Sequence, residues 1–239
     1  MRKILALSLL LAACAAPAWA DIIEISGFGG YTTVGMKDVN AAVNGLVQEL
    51  PGQSPSSSSD LSNGYVAGVD IRTGLLIPIP FLSLGVRAEY VGTNTGEWKG
   101  NSTLGAYDLK ENGYLADAML GLSFAVDIPA TGLGLGAGVY GGYGEGGIDQ
   151  NLTLNSVKLP DVYYGGNFVG EAEVRVKYKI VAMLNVYAFG GMRFANMGLF
   201  EDSAATKQKL PNLIGVPAVA SPSVDFSGID GGLGINLDF

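Results

Sequence analysis

The sequence predicts an all-β protein, an eight-stranded antiparallel up-and-down transmembrane β-barrel with four long extracellular loops. Three observations predict it. Eight segments alternate apolar and polar side chains, the period of a strand with one greasy and one polar face. The mean hydropathy is positive, +0.31, yet beyond the first twenty residues no apolar run reaches the roughly 18 residues that a membrane helix needs. The connections between the segments alternate long and short, as in barrels with long loops on one side of a membrane and tight turns on the other. A hydrophobic chain without a hydrophobic helix hides its apolar surface if lipid covers alternate residues while every backbone group pairs around a closed ring.

The eight segments read as 21–35, 63–77, 82–96, 113–128, 133–148, 168–180, 182–198 and 224–239. The first, third, fifth and seventh connections are long: Met36–Ser62, Glu97–Asn112, Asp149–Gly165 and Leu199–Ser223. The second and fourth are tight, at Pro78-Ile79-Pro80 and Pro129-Ala130-Thr131-Gly132, and the sixth falls near Lys179–Val181. This order places both termini on the side of the tight turns. In the second segment Tyr65, Ala67, Val69, Ile71 and Leu75 oppose Gly68, Asp70, Arg72 and Gly74; in the sixth, Phe168, Ala172, Val174, Val176 and Tyr178 oppose Glu171, Glu173, Arg175 and Lys177. The last segment sets Leu233, Ile235, Leu237 and Phe239 against Gly234, Asn236 and Asp238.

The aromatic side chains say which face meets lipid. Tyr31, Tyr65, Tyr90, Tyr114, Tyr143, Phe168 and Phe194 fall on the apolar face, each beside a long connection. Strands running up and down bring the seven to one height, an interfacial belt rather than a scatter of core aromatics. The polar face then lines the lumen. It carries the acids Glu24, Asp70, Glu89, Asp117, Glu171, Glu173 and Asp230 and the bases Arg72, Arg87, Arg175, Lys177 and Arg193. An eight-stranded ring is only wide enough for side chains to fill it, and a buried unpaired charge costs several kcal/mol. The reading is a salt-bridged, closed lumen; a narrow hydrophilic path made by exchanging pairs is the alternative. Glu171 and Glu173 sit beside Arg175 and Lys177, so charge pairing explains them better than acid–base catalysis.

Within the first long connection Val39, Val43, Leu46, Val47 and Leu50 have helical spacing over residues 38–50, with Asp38 placed to cap the start and Pro51-Gly52 to end it. This helix rests on neighbouring loops, or else is a lid or a partner-binding element. The serine run Ser56–Ser59 reads as a flexible link. Gly136 to Gly141 matches G-x-G-x-x-G by letters, but no helix follows, so it is no phosphate loop. Glycines on the inner face make room for larger neighbours such as Tyr140 or Arg175.

The amino terminus reads as a targeting segment. Met1-Arg2-Lys3 is basic, Ile4–Ala13 is apolar and too short to span a bilayer, and Ala18-Trp19-Ala20 offers a small-x-small cleavage site. Leu11-Ala12-Ala13-Cys14 offers a rival cut with lipidation at Cys14; either implies export. Residues 1–20 are thus expected to be a signal peptide and 21–239 a single barrel domain. Beyond residue 20 there is no cysteine and no histidine. That excludes disulfides, thiol chemistry and Cys-type zinc sites, and removes the commonest general base and metal ligand. No cofactor or metal is expected. A net charge of −8 argues against a nucleic-acid partner.

With these features the chain resembles the small outer-membrane barrels of the OmpA, OmpX and OmpW type over essentially all of residues 21–239. The most specific local element is Gly234-x-x-Leu237-x-Phe239, which resembles the terminal signal read by the barrel-assembly machinery. The resemblance implies a bacterial outer-membrane address, insertion by that machinery, outer-membrane lipid as surroundings and an extracellular partner at the loops. Barrels of this kind begin their first strand soon after the leader is cut and are seldom acylated, which favours cleavage after Ala20. Relatives of this type include anchors, adhesins, small-molecule channels and lipid-modifying enzymes that use a histidine. Without a histidine the expectation is a non-enzymatic barrel for contact, adhesion or envelope stability. A narrow channel for small solutes or apolar molecules comes next, and a lipid-modifying enzyme last. No peptidoglycan-binding domain follows Phe239, so wall anchoring is not expected.

Overall fold

The computed structural model describes residues 23–76, 79, 81–199, 201–202 and 223–239. The leader with Cys14, Ala18 and Ala20, the prolines Pro78 and Pro80, and most of the Leu199–Ser223 connection lie outside the described residues. In chain order the elements are β1 (Glu24–Thr33), α1 (Lys37–Glu49), β2 (Ser54–Ser59), β3 (Asn63–Thr73), β4 (Leu82–Thr93), β5 (Gly96–Ser102), β6 (Gly105–Ile128), β7 (Leu133–Leu154), β8 (Val157–Val181), β9 (Leu184–Phe194), β10 (Asn196–Leu199), β11 (Glu201–Asp202), β12 (Ser223–Asp225) and β13 (Gly228–Asp238).

Eight of these strands close a ring. β1, β3, β4, β6, β7, β8, β9 and β13 pair antiparallel in that order, and β13 returns to β1. The seam runs in continuous register from Glu24↔Asp238 to Thr32↔Asp230. At its lower end the amide of Phe239 donates to the Ile23 carbonyl at 2.9 Å and the Ile23 amide donates to the Phe239 carbonyl at 3.2 Å. Closure leaves no free strand edge at membrane depth, the condition a spanning sheet must meet. Ile23, the first described residue, and Phe239 sit at the end of the tight turns, as the connection pattern requires. The apolar faces point outward: Val69, Ile71, Leu120, Val139, Val174, Ile229 and Leu233 are exposed, Leu233 by 70%. Such an unbroken apolar exterior in a chain of this charge is a lipid-facing surface.

Above the ring the structure departs from the expected loops. The connections Glu97–Asn112 and Asp149–Gly165 are not irregular. β6, β7 and β8 run on past the belt as one hairpin sheet, in register from Tyr107↔Leu154 to Ile128↔Leu133 and from Leu133↔Tyr178 to Leu154↔Val157. β5 folds back on β6 from Gly96↔Glu111 to Ser102↔Gly105. The alternation that marks a lipid-facing strand fades there because both faces leave the bilayer. Lys99, Lys110, Asp108 and Asn151 occupy the outward positions, and the apolar positions turn inward.

The serine run is not a flexible link either. Ser54–Ser59 form β2, paired with β5 from Ser54↔Asn101 to Ser59↔Glu97 with a bulge after Pro55. An available strand edge overrides the weak strand preference of serine. The helix is present but begins one residue early, at Lys37. Asp38 lies inside the first turn and makes no capping hydrogen bond, so its expected capping role is corrected. Leu50 turns extended, Gly52 takes a positive φ of 61° and the helix stops, as Pro51-Gly52 suggests. The segments 182–198 and 224–239 are each broken. β9 ends at Phe194 and β13 begins at Gly228, while β10 and β12 pair as a separate ribbon. The Ala195 amide bonds Ser227 Oγ at 2.9 Å, and the Phe226 amide bonds the Ala195 carbonyl at 3.0 Å. Met197, Val224 and Phe226 are buried there.

Candidate functional site

Two regions carry buried polar chemistry: the lumen and the sheet that extends beyond the belt. In the lumen, the inward positions of β3, β4, β8 and β9 set Asp70, Arg72, Arg87, Glu89, Glu171, Glu173, Arg175 and Arg193 against one another. All are buried, and Asp70 and Arg87 are wholly inaccessible. Asp70 is the hub. It accepts from Arg72 at 2.7 Å, Arg87 at 3.0 Å, Arg175 at 2.8 Å and the Tyr140 hydroxyl at 3.0 Å. Arg87 also reaches Glu171 at 2.7 Å, Glu173 at 2.8 Å and Glu89 at 3.4 Å. Arg193 on β9 meets Glu89 on the opposite wall at 3.1 Å and Asp230 at 3.0 Å. Arg72 and Glu173, also on facing walls, meet at 3.2 Å, and Arg175 bonds Glu173 directly. Glu24 closes the lower side on Arg72 at 3.3 Å. These contacts are short, charge-assisted and multiply shared, the arrangement in which buried ions offset their desolvation.

Ten of the twelve expected lumen charges thus belong to one ion-pair system, and Lys177 pairs separately below it with Asp238 at 3.3 Å. Asp117 is the exception. It is buried, faces Glu89 directly across the β4–β6 ladder, and neither of its oxygens has a hydrogen-bond partner among the described residues. Sequence reasoning missed Asp238 and Asn185, which hold the lower end together at 2.7 Å; the even spacing Asp230, Asn236, Asp238 carries that signal. It also missed most of the aromatic filling. Tyr140 stacks under Arg87, whose guanidinium carbon lies 3.7 Å from the ring centre, and Arg175 lies 4.7 Å from that of Tyr187. Phe28 and Phe189 meet edge to face at 5.3 Å. The inner-face glycines do make room: a Cβ at Gly121 would strike the Tyr140 ring, and one at Gly234 the Tyr187 ring.

The seven belt aromatics all sit on the outer surface. Tyr31, Tyr65, Tyr90, Tyr143, Phe168 and Phe194 are exposed and Tyr114 partly so. Register brings Tyr31 opposite Tyr65 and Tyr143 opposite Phe168, and the Tyr65 and Tyr90 rings lie 6.2 Å apart. Tyr65 and Tyr114 lie over Gly92 and Gly147 of the neighbouring strands, where a Cβ would strike their rings as placed. Leu237 and Phe239 of the terminal element face outward, while Gly234 faces the lumen beneath Tyr187.

Above the charged layer the filling turns apolar. Val66, Val91, Leu115, Met119 and Val169 line the upper lumen and join Met36, Val39, Leu61, Met197, Val224 and Phe226 from the overlying connections in one cluster. A second cluster holds α1 to the inner face of the sheet above the ring: Val43, Leu46, Val47 and Leu50 against Trp98, Tyr107, Leu109 and Leu152. Asn40 donates to the Leu61 carbonyl at 2.8 Å and accepts from its amide at 2.9 Å, and Trp98 Nε1 donates to Asn44 Oδ1 at 3.1 Å. In the same row lies Glu111, 2% exposed. Its one hydrogen bond is from the Gln150 side-chain amide, and its second oxygen has no partner among the described residues. Burial pushes its carboxyl up to about 7, which the Gln150 bond only partly counters. On the outer side of the same sheet Glu97 is held below the usual carboxylate range by hydrogen bonds from Lys99 and Lys110.

Among the described residues no group of three or more acidic, cysteine or histidine side chains is arranged to hold a metal. The closed ring, its apolar outside and its charged inside define a small eight-stranded transmembrane β-barrel of the outer-membrane class. No protein-family model matches the chain, and no curated protein does. Among solved structures it is similar to the outer membrane protein OprG from Pseudomonas aeruginosa (12% identity over 90% of this chain and 95% of that one, TM-score 0.43). It is also similar to Ail, the attachment invasion locus protein of Yersinia pestis (12%, 90% and 98%, 0.41), and to the outer membrane protease OmpT from Escherichia coli (9%, 92% and 98%, 0.47).

Proposed function

We propose that this protein is a non-enzymatic barrel of the bacterial outer membrane, exported with removal of residues 1–20. Its lumen is closed and its working face is the extracellular sheet built from β2, β5 and the upper halves of β6, β7 and β8. One observation carries the closed lumen: ion pairs run straight across it, Arg193 to Glu89 at 3.1 Å and Arg72 to Glu173 at 3.2 Å. Side chains that bridge opposite walls support a lumen that is closed while these pairs hold. What remains for function is outside the ring. The sheet stands on the barrel as a continuous extension of its strands, stiffened from within by α1. Such a rigid, pre-ordered surface loses little conformational freedom on binding, which favours contact or adhesion.

Planar-bilayer recording of the purified protein tests this reading. The expected result is no single-channel steps. Stable conductance that changes on Arg87→Gln or Glu173→Gln would overturn the closed lumen and favour a narrow channel. Lipid A of altered mass on expression would overturn the non-enzymatic part. Deletion of the β7–β8 tip, residues 150–161, is expected to abolish surface contact by cells carrying the protein while leaving barrel assembly intact.

A further inference from the structure

Glu111 is a carboxyl that the barrel does not need and the fold does not compensate. Its neighbours on the inner face of the sheet are Leu109 and Gly113 along β6, Gly96 on β5, and Gln150 on β7 flanked by Ile148 and Leu152. None of these is charged. Asp161 on β8 stands opposite Gln150 in register; the other charged residues nearby look elsewhere. Asp108 and Lys110 on β6, Glu97 and Lys99 on β5, and Asp149 on β7 point to the outer face; Lys37, Asp38 and Glu49 on α1 and Asp60 after β2 are exposed. Asp117 lies six residues further down β6, inside the ring. The apolar clusters above and below Glu111 share α1 as their cover, Val39 in one and Val43, Leu46 and Val47 in the other. The helix itself is tied by few polar contacts: the Asn40–Leu61 pair, the Asn44–Trp98 bond and the hydrogen bond of Thr103 to Pro51 after it.

We propose that Glu111 is a proton-operated latch for α1. With Glu111 neutral the helix lies on the extracellular sheet; with Glu111 ionised the helix lifts and opens the row of Trp98, Leu109 and Leu152 to solvent or to a binding partner. The proposal gives a regulation to the working face argued above and rests on that reading for its biological sense, but its test needs no partner.

The direction follows from burial. A covered Glu111 holds its proton up to about 7, while an uncovered one titrates in the ordinary carboxylate range near 4.5. Below that range both states carry the proton and docking is at full strength. Between the two values the docked-to-lifted ratio falls by up to tenfold per pH unit, and above about 7 it levels off, a loss on the order of a few hundred-fold.

Trp98 reports the event from within. It is 2% exposed and packs under the helix, and with Trp19→Phe it is the sole tryptophan of the chain. In folded protein in detergent, Trp98 emission is expected to move to the red, and its quenching by acrylamide to rise, as pH increases from 4 to 9. Most of the change should fall between pH about 4.5 and 7. Glu111→Gln is expected to keep the blue, protected signal throughout, with Glu111→Leu as its replacement if the amide variant is not recovered. Asn40→Ala, which loosens the helix, is expected to enlarge the change. The same red shift in the Glu111 variants overturns the proposal, as does a flat signal in both the parent and Asn40→Ala. Loss of surface contact without any Trp98 change would leave the contact reading standing and remove the latch.

Discussion

Asp70 and Glu111 are both carboxylates hidden from solvent, and the protein treats them in opposite ways. Asp70, inside the ring, accepts from three guanidiniums and a tyrosine. Glu111, above the ring, has one amide. The difference lies in what surrounds each side chain. Inside the ring the charged side chains are buried, so they rely on protein partners, which the converging walls supply for all the expected lumen charges but Asp117. Above the bilayer Glu111 lies on the sheet face that α1 packs against, and under the latch proposal its uncompensated carboxyl costs stability only while the helix is down. Buried charge is therefore permanent structure in the first region and a conditional cost in the second.

The comparison can be broken at either end. The largest effect is expected from Arg87→Ala. Removing a wholly buried guanidinium shared by Asp70, Glu171, Glu173 and Glu89 leaves those carboxylates short of a partner, at a cost of about 3–5 kcal/mol. Urea titration of the inserted barrel by gel mobility measures it. A loss no larger than that of a surface variant would mean that the lumen charges are hydrated rather than paired. Leu109→Ala comes next, at about 2–5 kcal/mol for a buried leucine. Here the cost is expected to appear as faster amide exchange in α1 and β2 while the ring keeps its urea midpoint. Asn40→Ala removes the two-way bond to Leu61 and is expected to weaken helix docking by about 1–2 kcal/mol, read by the same exchange. Lys110→Ala, on the exposed outer face, is expected to change neither measurement, since exposed ion pairs contribute little.

Phe239 stands apart from this ranking because its effect concerns assembly. Its backbone closes the seam with Ile23 at 2.9 and 3.2 Å, and its side chain faces outward. Deletion is expected to lower the amount of inserted barrel several-fold, measured by surface labelling against total protein. Phe239→Ala keeps the seam bonds and separates the signal carried by the ring from the closure made by the backbone.

The transmembrane half of the molecule is legible in the chain and the half above the belt is not. Lipid on one side and packed lumen on the other impose period two on every spanning residue. Alternation alone therefore places Val69, Ile71, Val174 and Leu233 outside, and Asp70, Arg87 and Glu173 inside. Beyond the belt that constraint ends. β6, β7 and β8 continue as strands through polar sequence, Ser54–Ser59 join the sheet because β5 offers an edge, and Ala195 and Ser227 break two segments that read as continuous. Which lumen charges meet is also beyond the pattern. Alternation assigns a face, but the partner of Arg193 on the far wall depends on how the closed ring brings β9 opposite β4. By itself the sequence determined the ring, its lipid-facing and lumen faces and the stock of charges within it, because those follow from local period and solvent. Tertiary structure alone decided the pairing across the lumen, the sheet above it and the burial of Glu111, because each depends on contacts between residues far apart in the chain.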